Sequence, residues 1–435
     1  MSHLHTLRTL SLRLAALCLA VASLAATASS APAAEFFFKD GDRTVIMGDS
    51  ITEQRLYSSY LETWITTRFP KWNLAFRNVG IGGDSSTGGN SRFQRDVVSF
   101  KATAMTVDFG MNDGGYRPYD EAIFNRYMLG LQGIADQAKK AGVRVAWCTP
   151  QPLDGPEGGD TALTGYNLTL EKLSEGVKVN AEKNDGQFVD QFHPYLAVLD
   201  KARSDKSKRY TRITAGDAVH PGPPGQAVMA YSILQGLSFP SFVSSVEIDV
   251  ADLKSAKGEK CQVSNVARDG DTLTFERLDE ALPFFPQDAA PILPWIPIRD
   301  LANDYRLTVR GLKAGDYEVK LGDKAVAKYT AEELAKGVNL ATPALAAGPI
   351  ADQVNEIRKA IEAKVNFYHD RIFRGIILSN VSIPDYLGIK LTPQEIEAKK
   401  QAAIAERSAE LPAFEAAIRK TLELKPHKVT VAPAK

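Results

Sequence analysis

The chain has 435 residues, of which 44% are hydrophobic and 24% are charged. These proportions are typical of a globular protein with a substantial core, and the length allows about one to three domains. Lys plus Arg and Asp plus Glu number 52 each, so the formal net charge is zero. The total charge therefore gives no indication of a surface for nucleic acid or another polyanion.

The N-terminus has the pattern of a targeting segment. Arg8 and Arg13 precede an apolar run over residues 14–26, and an Ala-Pro-Ala sequence ends at Ala33. This order predicts a secretory signal peptide over residues 1–33, and hence an exported protein, periplasmic or extracellular. The run is short and Ala-rich for a membrane span, so we expect no stable membrane insertion after cleavage. An uncleaved anchor is the competing interpretation.

Two cysteines, Cys148 and Cys261, remain after the predicted cleavage. Export permits a disulfide between them, but their positions in the sequence leave open whether they pair. Without nearby paired histidines they do not form a zinc-binding motif.

Residues 40–243 alternate short apolar runs with stretches of helical periodicity. The predicted strands are 44–47, 74–79, 104–109, 143–148 and 188–191, and the predicted helices are 57–69, 119–141, 164–183 and 225–237. Alternating strands and helices predict an α/β domain, with a parallel sheet covered by helices on both faces.

The character of the sequence changes after this domain. Gly-Asp turns separate short strands in a predicted β-rich accessory region over residues 244–347, and residues 348–435 are predominantly helical. Long helices are predicted over 352–373 and 393–422, with a loose tail over 425–435. Periodic Ala, Ile and Leu in these helices suit packing or an oligomer contact.

The first motif with chemical potential is Gly48-Asp49-Ser50, which follows the first apolar run. It places a hydroxyl at the carboxyl end of a strand, where open α/β sheets build their sites. The competing interpretation is structural, because Ser50 and Glu53 match a helix capping box.

Two further motifs follow the next two predicted strands. Residues 78–85 contain three glycines in four positions, which lets the backbone approach a ligand closely. They lack the endings of a phosphate loop or a dinucleotide fingerprint. Residues 109–113 include Asn112, whose side-chain amide can donate to a developing negative charge. Each motif alone also suits a plain turn.

The fourth motif is Asp217-Ala218-Val219-His220-Pro221, in a Gly/Pro loop before the last helix of the domain. A carboxylate three residues before a histidine can accept from Nδ1, which leaves Nε2 free as a base. Asp190 and His193 have the same spacing, but they lie directly on the fifth predicted strand and run into an ordinary helix. We therefore favour His220 over His193.

Several aromatic residues and histidines are open to more than one interpretation. Candidates for a substrate groove are Trp64, Trp72, Tyr116 and Tyr119, although ordinary core or surface positions would also explain them. His369 and His427 are isolated in the sequence, so no ligand role is expected for them.

Taken together and in this order, the four motifs resemble the SGNH hydrolase family, also called GDSL-like esterases. The resemblance covers about 200 residues and implies a three-layer, flavodoxin-like fold with a five-stranded parallel sheet in the order 2-1-3-4-5. It implies Ser50 as nucleophile, His220 as general base and Asp217 as its orienting carboxylate. The amides of Ser50 and Gly83 and the side chain of Asn112 would form the oxyanion hole.

The resemblance further implies two-step ester cleavage through an acyl-enzyme, with no metal or organic cofactor. We expect a small acyl ester or an acetylated polysaccharide as substrate. A short-chain lipase or lysophospholipase and an O-acyltransferase remain alternatives, because the family hosts all of these chemistries. The alternative outside enzymology is a carbohydrate-binding scaffold with an idle hydrolase fold.

Overall fold

The computed structural model describes residues 35–155, 161–207, 213, 217–380 and 390–434, with side chains omitted for 161–164. Residues 37–435 form one unit of the chain. The predicted signal peptide and its cleavage site lie outside the described residues, so export stays a prediction.

A five-stranded parallel sheet forms the centre of the first half of the chain. Its strands are β1 (Arg43–Gly48), β2 (Ala75–Asn78), β3 (Ala104–Asp108), β4 (Arg144–Cys148) and β5 (Gln187–Val189). They pair in the order β2-β1-β3-β4-β5, which confirms the predicted fold class. Every residue of β3 is buried, as expected for a strand covered on both faces.

Helices connect these strands. They are α1 (Ser50–Glu53), α2 (Leu56–Arg68), α3 (Ser86–Ser91), α4 (Glu121–Ala141), α5 (Thr161–Lys183), α6 (Phe192–Ser204) and α7 (Pro223–Gly236), with a π-helical turn over Gln94–Val98. Local chemistry sets their ends. In α4, the Asp120 side chain accepts from the first-turn amides, and Gly142 ends the helix at φ 69°. Because the strands are parallel, their carboxyl ends share one edge of the sheet.

Two smaller sheets follow. One has the order β13-β10-β6-β7, from β6 (Phe242–Asp249), β7 (Asp252–Glu259), β10 (Asp304–Arg310) and β13 (Val338–Asn339). The other has the order β12-β11-β14-β9-β8, from β8 (Cys261–Asp269), β9 (Thr272–Asp279), β11 (Asp316–Leu321), β12 (Lys324–Thr330) and β14 (His427–Pro433). A β-rich region therefore follows the α/β layer, while the exact bounds 40–243, 244–347 and 348–435 stay predictions.

The prediction of a loose tail over residues 425–435 was wrong. Strand β14 lies in the middle of its sheet, antiparallel to both β9 and β11. Val429 and Val431 point into the core and are fully buried. The alternation in this stretch is short, and its partner strands are distant in the sequence. Local reading therefore missed a strand that tertiary pairing stabilises.

Further helices lie in the second half of the chain: α8 (Ile298–Leu301), α9 (Ala331–Lys336), α10 (Ala341–Ala346), α11 (Pro349–Phe367), α12 (Pro393–Ser408) and α13 (Leu411–Thr421), with a 3₁₀ turn over Gln287–Ile292. A π-helical segment, Tyr368–Ile377, continues α11. The prediction of one helix over 393–422 was wrong, because the chain breaks between α12 and α13. Pro412 lacks an N–H, and its ring would clash with the carbonyl of Ser408 in a continuous helix.

Cys148 and Cys261 are both free and buried. The question that the sequence left open is thus answered: these two residues form no disulfide. Burial raises the pKa of the Cys261 thiol to about 11, so it is a poor nucleophile at neutral pH.

The burial of β14 gives a direct test of the fold. Val431 is 0% exposed, so Val431→Ala should lower the free energy of unfolding by about 2 kcal/mol. Lys428→Ala, at an exposed position of the same strand, should change it by less than about 0.5 kcal/mol. Denaturant unfolding of the full chain measures both. Equal free energies of unfolding for the Val431→Ala protein and the wild type would contradict the burial of β14 and support the loose tail.

Candidate active site

Ser50 is the first residue of a short helical turn at the carboxyl end of β1. The N-cap of this turn is Asp49, whose Oδ1 accepts from the amide of Ile51 at 2.9 Å. Ser50 is therefore not the N-cap of a capping box with Glu53, which was the competing interpretation, and its hydroxyl is available for another partner. Gly48 is required before the turn, because a Cβ there would lie 2.1 Å from Thr52 Oγ1.

The partner of the Ser50 hydroxyl is His220. Ser50 Oγ lies 2.9 Å from His220 Nε2, and His220 Nδ1 lies 2.8 Å from Asp217 Oδ2. The other carboxylate oxygen of Asp217 accepts from the backbone amides of His220 and Val219, at 2.8 and 2.7 Å. The structure thus brings together a hydroxyl, an imidazole and a carboxylate in the arrangement that activates a serine nucleophile.

A buried glutamine of α7 ties the histidine loop to the serine turn. Gln226 Nε2 donates to Gln54 Oε1 at 2.8 Å, and its Oε1 accepts from the amide of Tyr57 at 3.0 Å. Gln226 is fully buried and follows His220 by less than two helical turns. Its contacts with Gln54, in the α1–α2 connection, and with Tyr57, in α2, hold the loop of His220 at a fixed distance from the segment that follows Ser50.

Asp217 is suited to stay ionised. Partial burial would raise its pKa, but the hydrogen bonds from the amides and imidazole of the His220 loop outweigh that effect and lower it. An ionised carboxylate beside Nδ1 fixes the tautomer that presents a free Nε2 to Ser50, and it favours the imidazolium that forms on proton uptake.

The competing pair repeats this local geometry elsewhere. His193 Nδ1 lies 2.8 Å from Asp190 Oδ2, and His193 Nε2 lies 3.6 Å from Glu171 Oε1 on α5. His193 therefore faces a carboxylate on each side, whereas His220 faces Asp217 on one side and the Ser50 hydroxyl on the other.

The glycine-rich motif forms a tight turn beside Ser50. Asp84 N donates to Ile81 O at 3.2 Å, and Gly83 has φ 75°, as the third residue of such a turn often requires. The turn packs on the serine helix, because a Cβ at Gly80 would lie 2.3 Å from the amide nitrogen of Glu53. Gly82 N donates to Glu53 Oε2 at 2.7 Å.

Asn112 is held by both ends of its amide. Its Nδ2 donates to the carbonyl of Asp84 at 2.9 Å and lies 3.4 Å from Asp49 Oδ2, while its Oδ1 accepts from the Tyr116 hydroxyl at 3.2 Å. Tyr116 adopts φ 56°, which is strained for an aromatic residue and is typical of functional sites. Its hydroxyl orients the amide so that Nδ2 faces the turn that carries Gly83.

Of the four aromatic candidates for a substrate groove, Tyr116 contacts a predicted site residue. Trp64 is fully buried and packs edge-on against Phe284, with ring centroids 5.0 Å apart. Trp72 stacks on Phe69 at 3.9 Å, and Tyr119 is 46% exposed. The core explains Trp64, which is one of the alternatives left open by the sequence.

Buried carboxyl groups lie under the site. Burial raises the pKa of Asp49 to about 7 and that of Asp113 to about 6, and it raises the pKa of Asp108 well above its ordinary value. Asp113 accepts from the amide and hydroxyl of Ser86 at 3.0 and 2.6 Å. These groups shape the loops around the site through hydrogen bonds.

Sequence reasoning missed Arg92, which braces two of the site loops. Its guanidinium donates to the carbonyls of Gly48 and Val79, at the ends of β1 and β2. It also pairs with Asp84 and Asp96, at 2.7 Å each. A lone arginine in a helical stretch carries no recognisable motif, so no local pattern could have indicated this role.

The site is open to solvent. The side chains of His220 and Asp217 are 34% and 59% exposed. Cavities of about 230 and 470 Å³ lie elsewhere, under the C-terminal helices.

Within the described residues, no group of three or more His, Cys, Asp or Glu could hold a metal ion. In the same part of the chain, no helix is long and apolar enough to cross a membrane.

Residues around this site match the profile of a known family. The sequence profile of the GDSL-like lipase/acylhydrolase family matches residues 46–228, which include all five predicted site residues. An acetylxylan esterase from Geobacillus stearothermophilus is 23% identical over 221 residues, or 46% of this chain and 95% of that protein.

Solved structures resemble the chain to different extents. A gut microbial diltiazem-metabolizing enzyme is 24% identical, with a TM-score of 0.76 over 91% of this chain and 98% of its own. This likeness extends the shared fold through the C-terminal regions. A solved acetylxylan esterase from Geobacillus stearothermophilus is 20% identical, with a TM-score of 0.39 over 47% of this chain and 97% of its own.

The buried Asp49 carboxyl predicts a pH-dependent stability. Its pKa is about 7 in the folded protein against 3.8 ordinarily, so the folded state binds the proton more tightly. Stability conferred by this group therefore falls as pH rises between those values. Asp49→Asn keeps an oxygen for the Ile51 amide, and thermal unfolding across that pH range should show a smaller fall in Tm than in the wild type.

Asp200→Asn is the matched control for this test, because the Asp200 side chain is 67% exposed. Its Tm should follow the wild-type curve. An Asp49→Asn curve parallel to that of the wild type would contradict the burial argument.

Proposed function

We propose that this chain is an exported serine esterase that removes acetyl groups from carbohydrate. The premise is that the chain belongs to the GDSL-like lipase/acylhydrolase family through residues 46–228 and is a carboxylic ester hydrolase. The observation that carries the serine mechanism is the distance of 2.9 Å between Ser50 Oγ and His220 Nε2.

The reaction begins when His220 Nε2 takes the proton of the Ser50 hydroxyl as its oxygen attacks the ester carbon. The imidazolium then gives this proton to the departing alcohol, and the acyl group stays on Ser50. Water repeats the sequence: His220 takes its proton, the hydroxide oxygen attacks the acyl carbon, and Ser50 leaves with the returned proton. Asp217 stabilises the imidazolium in both steps.

The negative oxygen of each tetrahedral intermediate needs fixed donors. The amides of Ser50 and Gly83 and Nδ2 of Asn112 are the proposed set. Preorganised donors of this kind contribute about 10²- to 10³-fold each to turnover. The orientation of the Asn112 amide, held by Tyr116 at 3.2 Å and by the Asp84 carbonyl at 2.9 Å, supports its inclusion.

Three observations support an acetylated carbohydrate as substrate. The rim of the site is polar: Asn112 lies between the Asp84 carbonyl and the Tyr116 hydroxyl, and its Nδ2 is 3.4 Å from Asp49, the neighbour of Ser50. The exposure of Asp217 and His220 leaves access for a large alcohol partner. The third observation is that an acetylxylan esterase is 23% identical to this chain over 221 residues. The predicted export, in addition, would bring this chain into contact with extracellular polysaccharide.

Other chemistries of the family suit the same residues less well. A lipase or lysophospholipase would be expected to bury a long acyl chain beside the nucleophile, and an O-acyltransferase would need to exclude water from the acyl-enzyme. The open, polar rim favours neither. An idle scaffold that only binds carbohydrate would not require the Ser50–His220 contact.

The two Asp-x-x-His pairs provide a matched test of the mechanism. His220→Ala should lower kcat for nitrophenyl acetate by about 10⁴-fold or more, because the serine loses its base. His193→Ala removes an imidazole with the same local geometry and should leave kcat near the wild-type value. Ser50→Ala should fold normally and be inactive. Wild-type turnover by the Ser50→Ala or His220→Ala protein would refute the proposal.

A substrate panel tests the acyl and alcohol specificity. Released acid is measured with acetylated xylan, pectin and chitin fragments and with nitrophenyl esters of rising chain length. We expect kcat/KM to fall beyond the acetyl and propionyl esters and acid to be released from at least one polysaccharide. Preference for long acyl chains would instead support the lipase alternative.

A further inference from the structure

Glu53 joins the serine helix to two distant parts of the chain. Its Oε2 accepts from Gly82 N at 2.7 Å. Its Oε1 lies 2.9 Å from Arg374 Nη1 and 3.6 Å from His369 Nε2, both in the π-helical segment. The Glu53 side chain is only 16% exposed, so one carboxylate connects the glycine turn to the C-terminal helical region.

Gly82, which donates to the Glu53 carboxylate, lies close to the nucleophile. A Cβ built on Gly82 would lie 3.0 Å from Glu53 Oε2 and 4.0 Å from the Cβ of Ser50. Gly82 precedes Gly83, which supplies a proposed oxyanion donor. Any movement of the Glu53 carboxylate would therefore change the direction of the Gly83 amide through one peptide unit.

The π-helical segment also holds the other side of the α1–α2 connection. Arg55, which precedes α2, adopts φ 67°, a conformation that costs free energy in a non-glycine residue. Its Nη1 lies 3.1 Å from Asp370 Oδ1 and also contacts His369 Nδ1. The same segment thus contacts Glu53 and Arg55, the residues on both sides of Gln54, which follow the nucleophile by three and five positions.

The charges favour a fixed position for Glu53. The amide of Gly82 donates to one oxygen of the carboxylate, and such a charge-assisted hydrogen bond is stronger than a neutral one. The guanidinium of Arg374 forms an ion pair with the other oxygen at 2.9 Å. His369 is buried beside them, and its Nε2 has no hydrogen-bond partner among the described residues. π-Helical turns are uncommon and frequently occur at functional sites.

We infer that the π-helical segment Tyr368–Ile377 is part of the esterase machinery although it carries no catalytic group. It holds Glu53 as a positioning residue, and Glu53 fixes the turn that presents the Gly83 amide to the oxyanion. The inference rests on the proposed function and deepens it. The C-terminal helical region thereby contributes to turnover, without contact with the substrate.

The test compares Glu53→Ala, Arg374→Ala, Arg374→Lys and Arg371→Ala in the full chain. Arg371 is an exposed arginine of the same segment with no ion pair to any described residue, so it is the matched control. For nitrophenyl acetate, Glu53→Ala should lower kcat by about 10- to 100-fold, less than complete loss of an oxyanion donor would. Arg374→Ala should lower kcat by about fivefold, the upper range for an exposed ion pair.

KM should stay near the wild-type value in these variants, because no contact with the substrate is removed. Binding of an alkyl boronic acid, which forms a tetrahedral adduct with the serine, should weaken in parallel with kcat. Arg374→Lys should recover most of the loss, and Arg371→Ala should match the wild type. A residue needed for stability alone would lower Tm without this parallel.

Wild-type kcat and boronate affinity in both Glu53→Ala and Arg374→Ala would overturn the inference, as would an equal loss in Arg371→Ala. If Glu53→Ala fails to fold, the two Arg374 variants still test the inference. The Arg374 side chain is 60% exposed, so its substitution should not prevent folding. Failure of the proposed function looks different: the wild type itself would not hydrolyse the ester, or Ser50→Ala would remain active.

Discussion

The contact between Ser50 Oγ and His220 Nε2, at 2.9 Å, is the interaction on which the account of this molecule depends. The two residues are 170 positions apart. They meet because β1 occupies an inner position in the parallel sheet and because α7 starts directly after the histidine loop. The sheet order therefore determines where Ser50 lies, because it brings the end of β1 to the edge of the sheet where the other loops converge.

Close packing then fixes the loops around that contact. Glycines at positions 48 and 80 allow α1 to lie directly on its neighbours, where a single added carbon atom would collide. Asp49, Asp108 and Asp113 remain buried beneath the site although burial raises their pKa values. Hydrogen bonds from nearby amides and hydroxyls offset part of that cost.

The alternation of apolar runs and helical stretches was sufficient to predict the parallel sheet, and the motifs after the strands and in the final loop placed Ser50, Asp217 and His220 at one edge of it. The sheet order came from the resemblance to the SGNH hydrolase family. The sequence was insufficient for β14, whose partner strands are distant in the sequence. It was also insufficient for the break at Pro412, because periodic Ala and Leu on both sides of this proline indicated one continuous helix. Arg92 and Glu53 were beyond reach for a related reason. Apart from Asp96, four residues after Arg92, their partners are backbone groups or charges on other elements, which no spacing in the sequence encodes.

The central claim is that Ser50 becomes acylated during turnover. Rapid acid quenching of the full chain with an activated acetyl ester, followed by peptide mass spectrometry, tests it most directly. The account predicts an acetyl group on Ser50 that accumulates early and disappears as the ester is consumed. Ester turnover with no acetyl group on Ser50 at any time, or with the acetyl group on another residue, would contradict it.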